Sequence, residues 1–320
     1  MRRRESRDAR LLSRREFGGL CVALSSFVIS SGVSAVDAIT GVASTGAGRT
    51  VKFHDGTIVP ALGQGSWHLG QGRYPAAVEV EALRTGLSLG MTLIDTAENY
   101  GEGRSEELIN HVIAGERDRV FLVSKVETDH VTGDGIARAC EASLARLGAD
   151  YLDLYLLHQP VSNAEFSGVV AAFESLRATG KIRAWGVSNF SVRQMEDLFH
   201  VPQGDRCATN QVLYNLDYRG IEQDLLPWCE QQGMPVMAYS PLGGSGASLL
   251  RDPTLARIGA AHGCSAAAVV LAWTIRSGNV IAIAESGSVQ HVKENAVALA
   301  LTLTPQEVQI LDAAHPLLSR

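Results

Sequence analysis

Past residue 50 the chain alternates short apolar runs with longer amphipathic stretches. The runs fall at 61–65, 92–95, 120–125, 152–157, 182–188, 209–212, 235–239 and 280–283, and each has the length of a strand. Between them, apolar positions recur at helical spacing over 76–89, 136–147, 167–179 and 255–262. Eight strands alternating with helices predict a parallel sheet, and eight is the number that closes a barrel. Ahead of this array, Val51-Lys52-Phe53-His54-Asp55-Gly56-Thr57-Ile58-Val59 reads as a β-hairpin about an Asp-Gly turn. The expected fold is therefore an α/β (β/α)8 TIM barrel opened by an N-terminal β-hairpin, filling residues 51–320.

An open doubly wound sheet is the competing architecture. It calls for a glycine fingerprint after the first strand, with a helix starting at once. Here Gly63-Gln64-Gly65-Ser66-Trp67-His68 puts His68 at the third glycine position, and Gly70, Gly72 and Pro75 delay the helix. The barrel is the better fit, and no internal repeat or second domain shows in the pattern.

The first 50 residues break the alternation. Arg2, Arg3, Arg4, Arg7, Arg10, Arg14 and Arg15 precede a mildly apolar stretch over 17–33 that ends in Val33-Ser34-Ala35. This is the order of a secretory signal with a small-residue cleavage site. Ser13-Arg14-Arg15-Glu16-Phe17 resembles a twin-arginine export motif. The expectation is a signal peptide at 1–35, a Gly/Ser/Ala/Thr-rich flexible lead-in at 36–50, and a periplasmic or secreted protein that meets the twin-arginine machinery. A nucleic-acid-binding arm or membrane anchor is the alternative, but the apolar run falls short of the ~20 residues of a span. Without residues 1–35 the chain keeps 21 Lys and Arg against 31 Asp and Glu, which disfavours nucleic acid or anionic lipid as a partner. Cys140, Cys207, Cys229 and Cys264 show no metal or disulfide spacing and are expected as free, mostly buried thiols; no metal is implied. A monomer with no stable membrane anchor is expected.

In a (β/α)8 barrel, residues at the C-terminal ends of the strands face the site. Three ionisable groups stand at such ends: Asp95, Lys125 and His158, with Tyr100 in the loop after Asp95. Singly, each has a bland explanation: a turn residue, a solvated lysine, a core histidine. Together they suit carbonyl reduction, which needs a hydride on carbon and a proton on oxygen. A phenol exchanges that proton near neutrality only with help, which an adjacent ammonium fixed by a carboxylate provides. A neutral imidazole can orient the carbonyl oxygen.

Asp95-Thr96-Ala97-Glu98-Asn99-Tyr100-Gly101, Ser124-Lys125, Asp153-Leu154-Tyr155-Leu156-Leu157-His158 and Gly186-Val187-Ser188-Asn189-Phe190 resemble, in order, the motifs of the aldo-keto reductase superfamily. The likeness runs over roughly residues 51–315. Cys207-Ala208-Thr209-Asn210-Gln211-Val212-Leu213-Tyr214-Asn215-Leu216 and the run 220–241 look most like its bacterial branch of methylglyoxal and diketogluconate reductases. The resemblance implies a catalytic tetrad of Asp95, Tyr100, Lys125 and His158. It implies a nicotinamide cofactor held at the carboxamide by Ser188, Asn189 and Gln211, stacked on by Tyr239, and lined at the pyrophosphate by Ser240, Leu242 and Gly243. Glu285, Ser286 and Asn295 would meet its far end, and Trp67 would wall the substrate pocket.

Two departures stand out. Glu285 and His291 occupy positions where the family usually places a lysine and often an arginine, on the 2′-phosphate of NADP. A carboxylate there repels a phosphate and can accept from a ribose 2′-hydroxyl. Alternatively Glu285 turns into solvent and Ser286, Lys293 and backbone donors hold the phosphate, so NADP(H) and NAD(H) both stay open. Second, the helical stretch 305–315 is followed by only five residues, which predicts an open pocket mouth. Export also implies that the dinucleotide travels already bound. Other functions on the same barrel are a redox-sensing or regulatory binding subunit, and a Schiff-base aldolase built on Lys125.

Overall fold

The computed structural model describes residues 48–244 and 248–317, so the expected signal peptide and most of the expected lead-in lie outside the described residues. Ten strands are described: β1 (Thr50–Lys52), β2 (Ile58–Pro60), β3 (Leu62–Gly65), β4 (Leu93–Asp95), β5 (Phe121–Val126), β6 (Leu152–Leu157), β7 (Ile182–Ser188), β8 (Asn210–Leu213), β9 (Val236–Tyr239) and β10 (Val280–Glu285). β3 to β10 close into one parallel barrel in chain order, with β10 returning to pair with β3. The helices are α1 (Ala76–Ser88), α2 (Arg104–Ile113), α3 (Gly135–Leu147), α4 (Phe166–Ala178), α5 (Val192–Phe199), α6 (Leu225–Gln231), α7 (Pro253–His262), α8 (Ala266–Thr274), α9 (Val289–Ala296) and α10 (Pro305–Ala314). At least one follows each barrel strand. The (β/α)8 barrel is as the alternation of apolar runs predicts.

Local chemistry sets several of the boundaries. Ser191 and Thr304 begin α5 and α10 with reciprocal capping boxes to Gln194 and Glu307. Asp252 caps α7 ahead of Pro253, where a missing N–H costs nothing. Two boundaries differ from the expected ones. Arg49 already bonds through its backbone to Leu299 and Ala61, and Thr50 opens β1, so ordered structure starts inside the segment read as lead-in. β10 runs two residues beyond the apolar run, because pairing continues as Ala284 with Gln64 and Glu285 with Gly65. Backbone pairing, not side-chain polarity, decides where that strand ends.

The hairpin sits against the N-terminal end of the barrel. β1 and β2 pair antiparallel, Gly56 takes φ +92° in the turn, and Phe53 stacks on Phe121, the first residue of β5, at 5.7 Å between ring centroids.

Strand periodicity sorts the core. Tyr155 on β6 meets Phe173 of α4 edge to face, so that parity faces the helices. Leu154 and Leu156 take the other parity and cluster with Leu62, Leu93 and Val123. The same parity carried to the strand ends places Asp95 after Leu93, Lys125 after Val123 and His158 after Leu156. The barrel interior therefore delivers all three groups to one mouth. α8, Ala-Ala-Ala-Val-Val-Leu-Ala-Trp-Thr, is apolar on every side and correspondingly buried over 268–274. Among the described residues no single helix is long and apolar enough to cross a membrane. Cys140, Cys207 and Cys229 are buried free thiols, and Cys264 is half-buried and free.

Candidate active site

Lys125 is the hub of the mouth. Its Nζ donates to Asp95 Oδ2 at 2.6 Å, to the Thr96 carbonyl at 2.8 Å and to Tyr100 Oη at 3.1 Å. Three donors thus meet three acceptors, which satisfies an ammonium that has no solvent exposure. The register makes this possible: β4 and β5 are neighbours, with Asp95 paired to Val123, one inward position below Lys125. The other oxygen of Asp95, Oδ1, accepts from Gln211 Nε2 at 2.8 Å. Gln211 therefore anchors the carboxylate from across the barrel, a contact that its expected place at the cofactor carboxamide did not foretell.

The electrostatics follow from this packing. Burial alone would lower the Lys125 pKa, but Asp95 and Tyr100 outweigh it and the net shift is upward. Burial raises the Tyr100 phenol, and Lys125 offsets only part of that rise, so the phenol keeps its proton through neutral pH. The ammonium favours phenolate as expected, but desolvation outweighs it. His158 lies edge-on to Tyr100, 5.8 Å between ring centroids, and its backbone N–H donates to the Val126 carbonyl. Burial, and then Lys125, lower its pKa to about 3, which leaves a neutral imidazole.

The residues expected to hold a cofactor line the adjoining strand ends. Ser188 Oγ donates to the Gln211 carbonyl at 2.8 Å, and Asn189 Nδ2 reaches Ser188 Oγ at 3.1 Å. Tyr239 Oη donates to Asn189 Oδ1 at 3.0 Å. Asn189 and Ser240, each the first residue after its strand, hold left-handed backbone at φ +64° and +50°. Strain of this kind costs on the order of 1–3 kcal/mol per residue and persists where the surroundings impose it. Gly243, in the turn over 240–244, is also left-handed at φ +88°. Leu242 packs at the edge of the core beside this turn, Ser286 lies just after β10, and Asn295 is buried on α9. This constellation fits a nicotinamide dinucleotide laid across the strand ends.

Trp67 is 57 % exposed, so it belongs to the mouth rather than the core, and its ring lies on that of His68, 4.4 Å between centroids. His68 in turn fixes Glu285: its backbone N–H donates to Oε2 at 2.9 Å and its Nδ1 meets Oε1 at 2.9 Å. Glu285 does not turn away into solvent. Nothing in the sequence pairs these two residues, 217 positions apart; β10 closing on β3 does.

The Aldo/keto reductase family profile matches residues 61–316. The chain belongs to the aldo/keto reductase family. Methylglyoxal reductase YeaE of Escherichia coli is 49% identical over 271 residues, covering 84% of this chain and 95% of that protein. Glyoxal reductase of Bacillus subtilis is 33% identical over 269 residues, 83% of this chain and 92% of its own length. The structure of an aldo/keto reductase from Klebsiella pneumoniae in complex with NADP and acetate superposes with a TM-score of 0.81 at 45% identity, covering 85% of this chain and 97% of that one. As a member of this family the protein is an oxidoreductase that reduces aldehyde or ketone carbonyls of small substrates with hydride from a nicotinamide cofactor.

The Lys125–Asp95 pair gives a stability test. Asp95→Asn keeps the shape but leaves a buried ammonium without its counter-charge, and removing one member of such a pair costs about 3–5 kcal/mol. Urea unfolding should show a loss of that order.

Proposed function

We propose that this aldo/keto reductase reduces small dicarbonyl aldehydes of the methylglyoxal type, with Tyr100 as proton donor and Asp95, Lys125 and His158 as its partners. The observation that carries the reading is the three-way contact of Lys125 Nζ with Asp95, Thr96 and Tyr100 beside a neutral His158. The likeness to the methylglyoxal and glyoxal reductases supports the substrate class.

The chemistry a nicotinamide dinucleotide would supply here is hydride for the carbonyl carbon. Tyr100 passes its proton to the carbonyl oxygen, and Lys125 stabilises the phenolate left behind. Asp95 holds Lys125 in place, while Gln211 keeps Asp95 from rotating away. His158 donates to the carbonyl oxygen and stabilises the charge that builds there. Trp67 walls the substrate side. Ser188, Asn189 and Gln211 would hold the carboxamide end of a bound dinucleotide and Tyr239 would stack on its ring; Ser240, Leu242 and Gly243 would line its pyrophosphate, and Glu285, Ser286 and Asn295 would meet its adenosine end. The enzyme acts as a monomer.

The same site bears on the cofactor. With its carboxylate tied to His68, Glu285 stands at the mouth as a fixed negative charge, and buried Glu79 packs against Gly287 in the following loop. Two carboxylates beside this loop disfavour a 2′-phosphate, so the enzyme accepts NADH alongside NADPH, although the similar Klebsiella protein was crystallised with NADP. The leader at 1–35 supports export by the twin-arginine route to the periplasm, with the dinucleotide carried in the folded protein.

Three outcomes are expected. Tyr100→Phe should lower kcat/KM for methylglyoxal by about 10²–10⁴-fold, the usual scale of a lost general acid, while dinucleotide binding persists. Dissociation constants for NADH and NADPH should lie within about tenfold of each other, and Glu285→Lys should favour NADPH by a further tenfold or so, about 1.4 kcal/mol. A strong preference for NADPH in the parent would sink the cofactor reading. On fractionation the parent protein should appear in the periplasm with dinucleotide bound, and the doubly substituted Arg14→Lys, Arg15→Lys chain should stay in the cytoplasm.

A further inference from the structure

Glu127 follows β5 directly, two residues beyond Lys125, and no motif in the chain marks it. Its Oε1 lies against Nδ1 of His158. Both atoms are sealed from solvent, and neither meets another hydrogen-bonding group among the described residues. An ionised carboxylate facing a bare ring nitrogen would set lone pair against lone pair, so a proton must lie between them. A neutral imidazole carries a single N–H. If Nδ1 takes it, Nε2 is left as an acceptor and has nothing to give a carbonyl oxygen. If Glu127 carries the shared proton, Nε2 keeps its own hydrogen.

The surroundings decide between these states. Glu98, from the loop after β4, accepts from the Glu127 backbone N–H at 2.7 Å through the same Oε1 that pairs with His130 Nδ1 at 2.9 Å. Asp129 and His130 face Glu127 from the turn after β5, Lys125 from the end of that strand, and His158 from the end of β6. Burial first, then Glu98 and Asp129, hold the Glu127 carboxyl above the ordinary carboxylate range, against the opposing pull of Lys125 and His130. The ring beside it resists protonation, because burial and Lys125 both disfavour an imidazolium. An uncharged pair, carboxylic acid to imidazole, is the state that every neighbour but His130 and Lys125 favours at Glu127, and that Lys125 itself favours at His158.

We infer that Glu127 is a positioning residue: as a carboxylic acid it donates to Nδ1 of His158 and holds the ring in the tautomer whose Nε2–H meets the substrate carbonyl. The inference rests on the proposed role of His158. Its sign with pH is fixed. Below the Glu127 pKa the acid is present and Nε2 donates. As pH rises through that pKa the carboxylate claims a proton on Nδ1, Nε2 becomes an acceptor, and reduction slows. This decline lies below the one caused by Tyr100 itself, whose phenol is raised above 10.

The test is the pH profile of kcat/KM for methylglyoxal with the holoenzyme, from pH 4.5 to 9, together with ¹⁵N-imidazole NMR of His158. The parent should fall by about tenfold per pH unit above the Glu127 pKa, as one ionisation requires. In Glu127→Gln an amide N–H donates to Nδ1 at every pH, so that decline should vanish and Nε2 should stay protonated throughout. Glu98→Gln removes a neighbouring negative charge and should move the decline to lower pH, which gives a readout even if the first variant folds poorly. A decline that persists at the parent's pH in both variants, or Nδ1 protonated in the parent at pH 4.5, would overturn the inference. His158→Gln separates it from the underlying reading: unchanged kcat/KM there removes the role of His158 itself, whereas a damaged His158→Gln beside a normal Glu127→Gln profile removes only the role of Glu127.

Discussion

Lys125 holds an ammonium with no solvent exposure at the end of a barrel strand, and such burial costs several kcal/mol unless every N–H finds a partner. Asp95, the Thr96 carbonyl and Tyr100 are those partners, and each comes from the neighbouring strand end or its loop. The requirement reaches outward. Asp95 must itself be fixed, and Gln211 fixes it from the far wall. The β8 end that carries Gln211 is tied to Ser188, Ser188 to Asn189, and Asn189 to Tyr239. One buried charge thus links Tyr100 to the ends of β7, β8 and β9.

The barrel supplies what such a chain of contacts needs. Parallel strands closed on themselves put all inward side chains of one parity on converging paths, so Lys125 meets Asp95, 30 residues away, and Gln211 meets Asp95, 116 residues away, at one mouth. Strain sits at the same end of the barrel: Asn189 and Ser240 hold left-handed backbone directly after β7 and β9. A rigid wall beneath them, apolar and close-packed, makes that strain tolerable. The mouth itself is acidic, with Glu98, Glu127 and Glu285 each engaged by a histidine.

Much of this was legible in the sequence. Short apolar runs and their eightfold alternation with helical stretches determine the barrel, because a strand buried on both faces must read as a continuous apolar segment. Asp95, Lys125 and His158 were legible because ionisable residues ending such segments have only the mouth to occupy, and Tyr100 because it follows within one short loop. Glu127 was not legible: a carboxylate in Glu-Thr-Asp-His looks like any solvated turn, and only the adjacent end of β6 turns it toward an imidazole. Gln211 was expected at the cofactor carboxamide, and its bond to Asp95 depends on distance across the barrel, which no local pattern encodes.

The sequence by itself therefore determined the fold, the family resemblance and the set Asp95, Tyr100, Lys125 and His158, since these follow from local periodicity and from motifs contiguous in the chain. Tertiary structure alone decided protonation and orientation. Burial, summed over many residues, set the Tyr100 phenol above its ordinary range and kept His158 neutral. Closure of β10 on β3 turned Glu285 onto His68, and the meeting of the β5 and β6 ends set Glu127 against His158. Desolvation and long-range pairing depend on what surrounds a group in space, and the order of residues along a strand does not carry that.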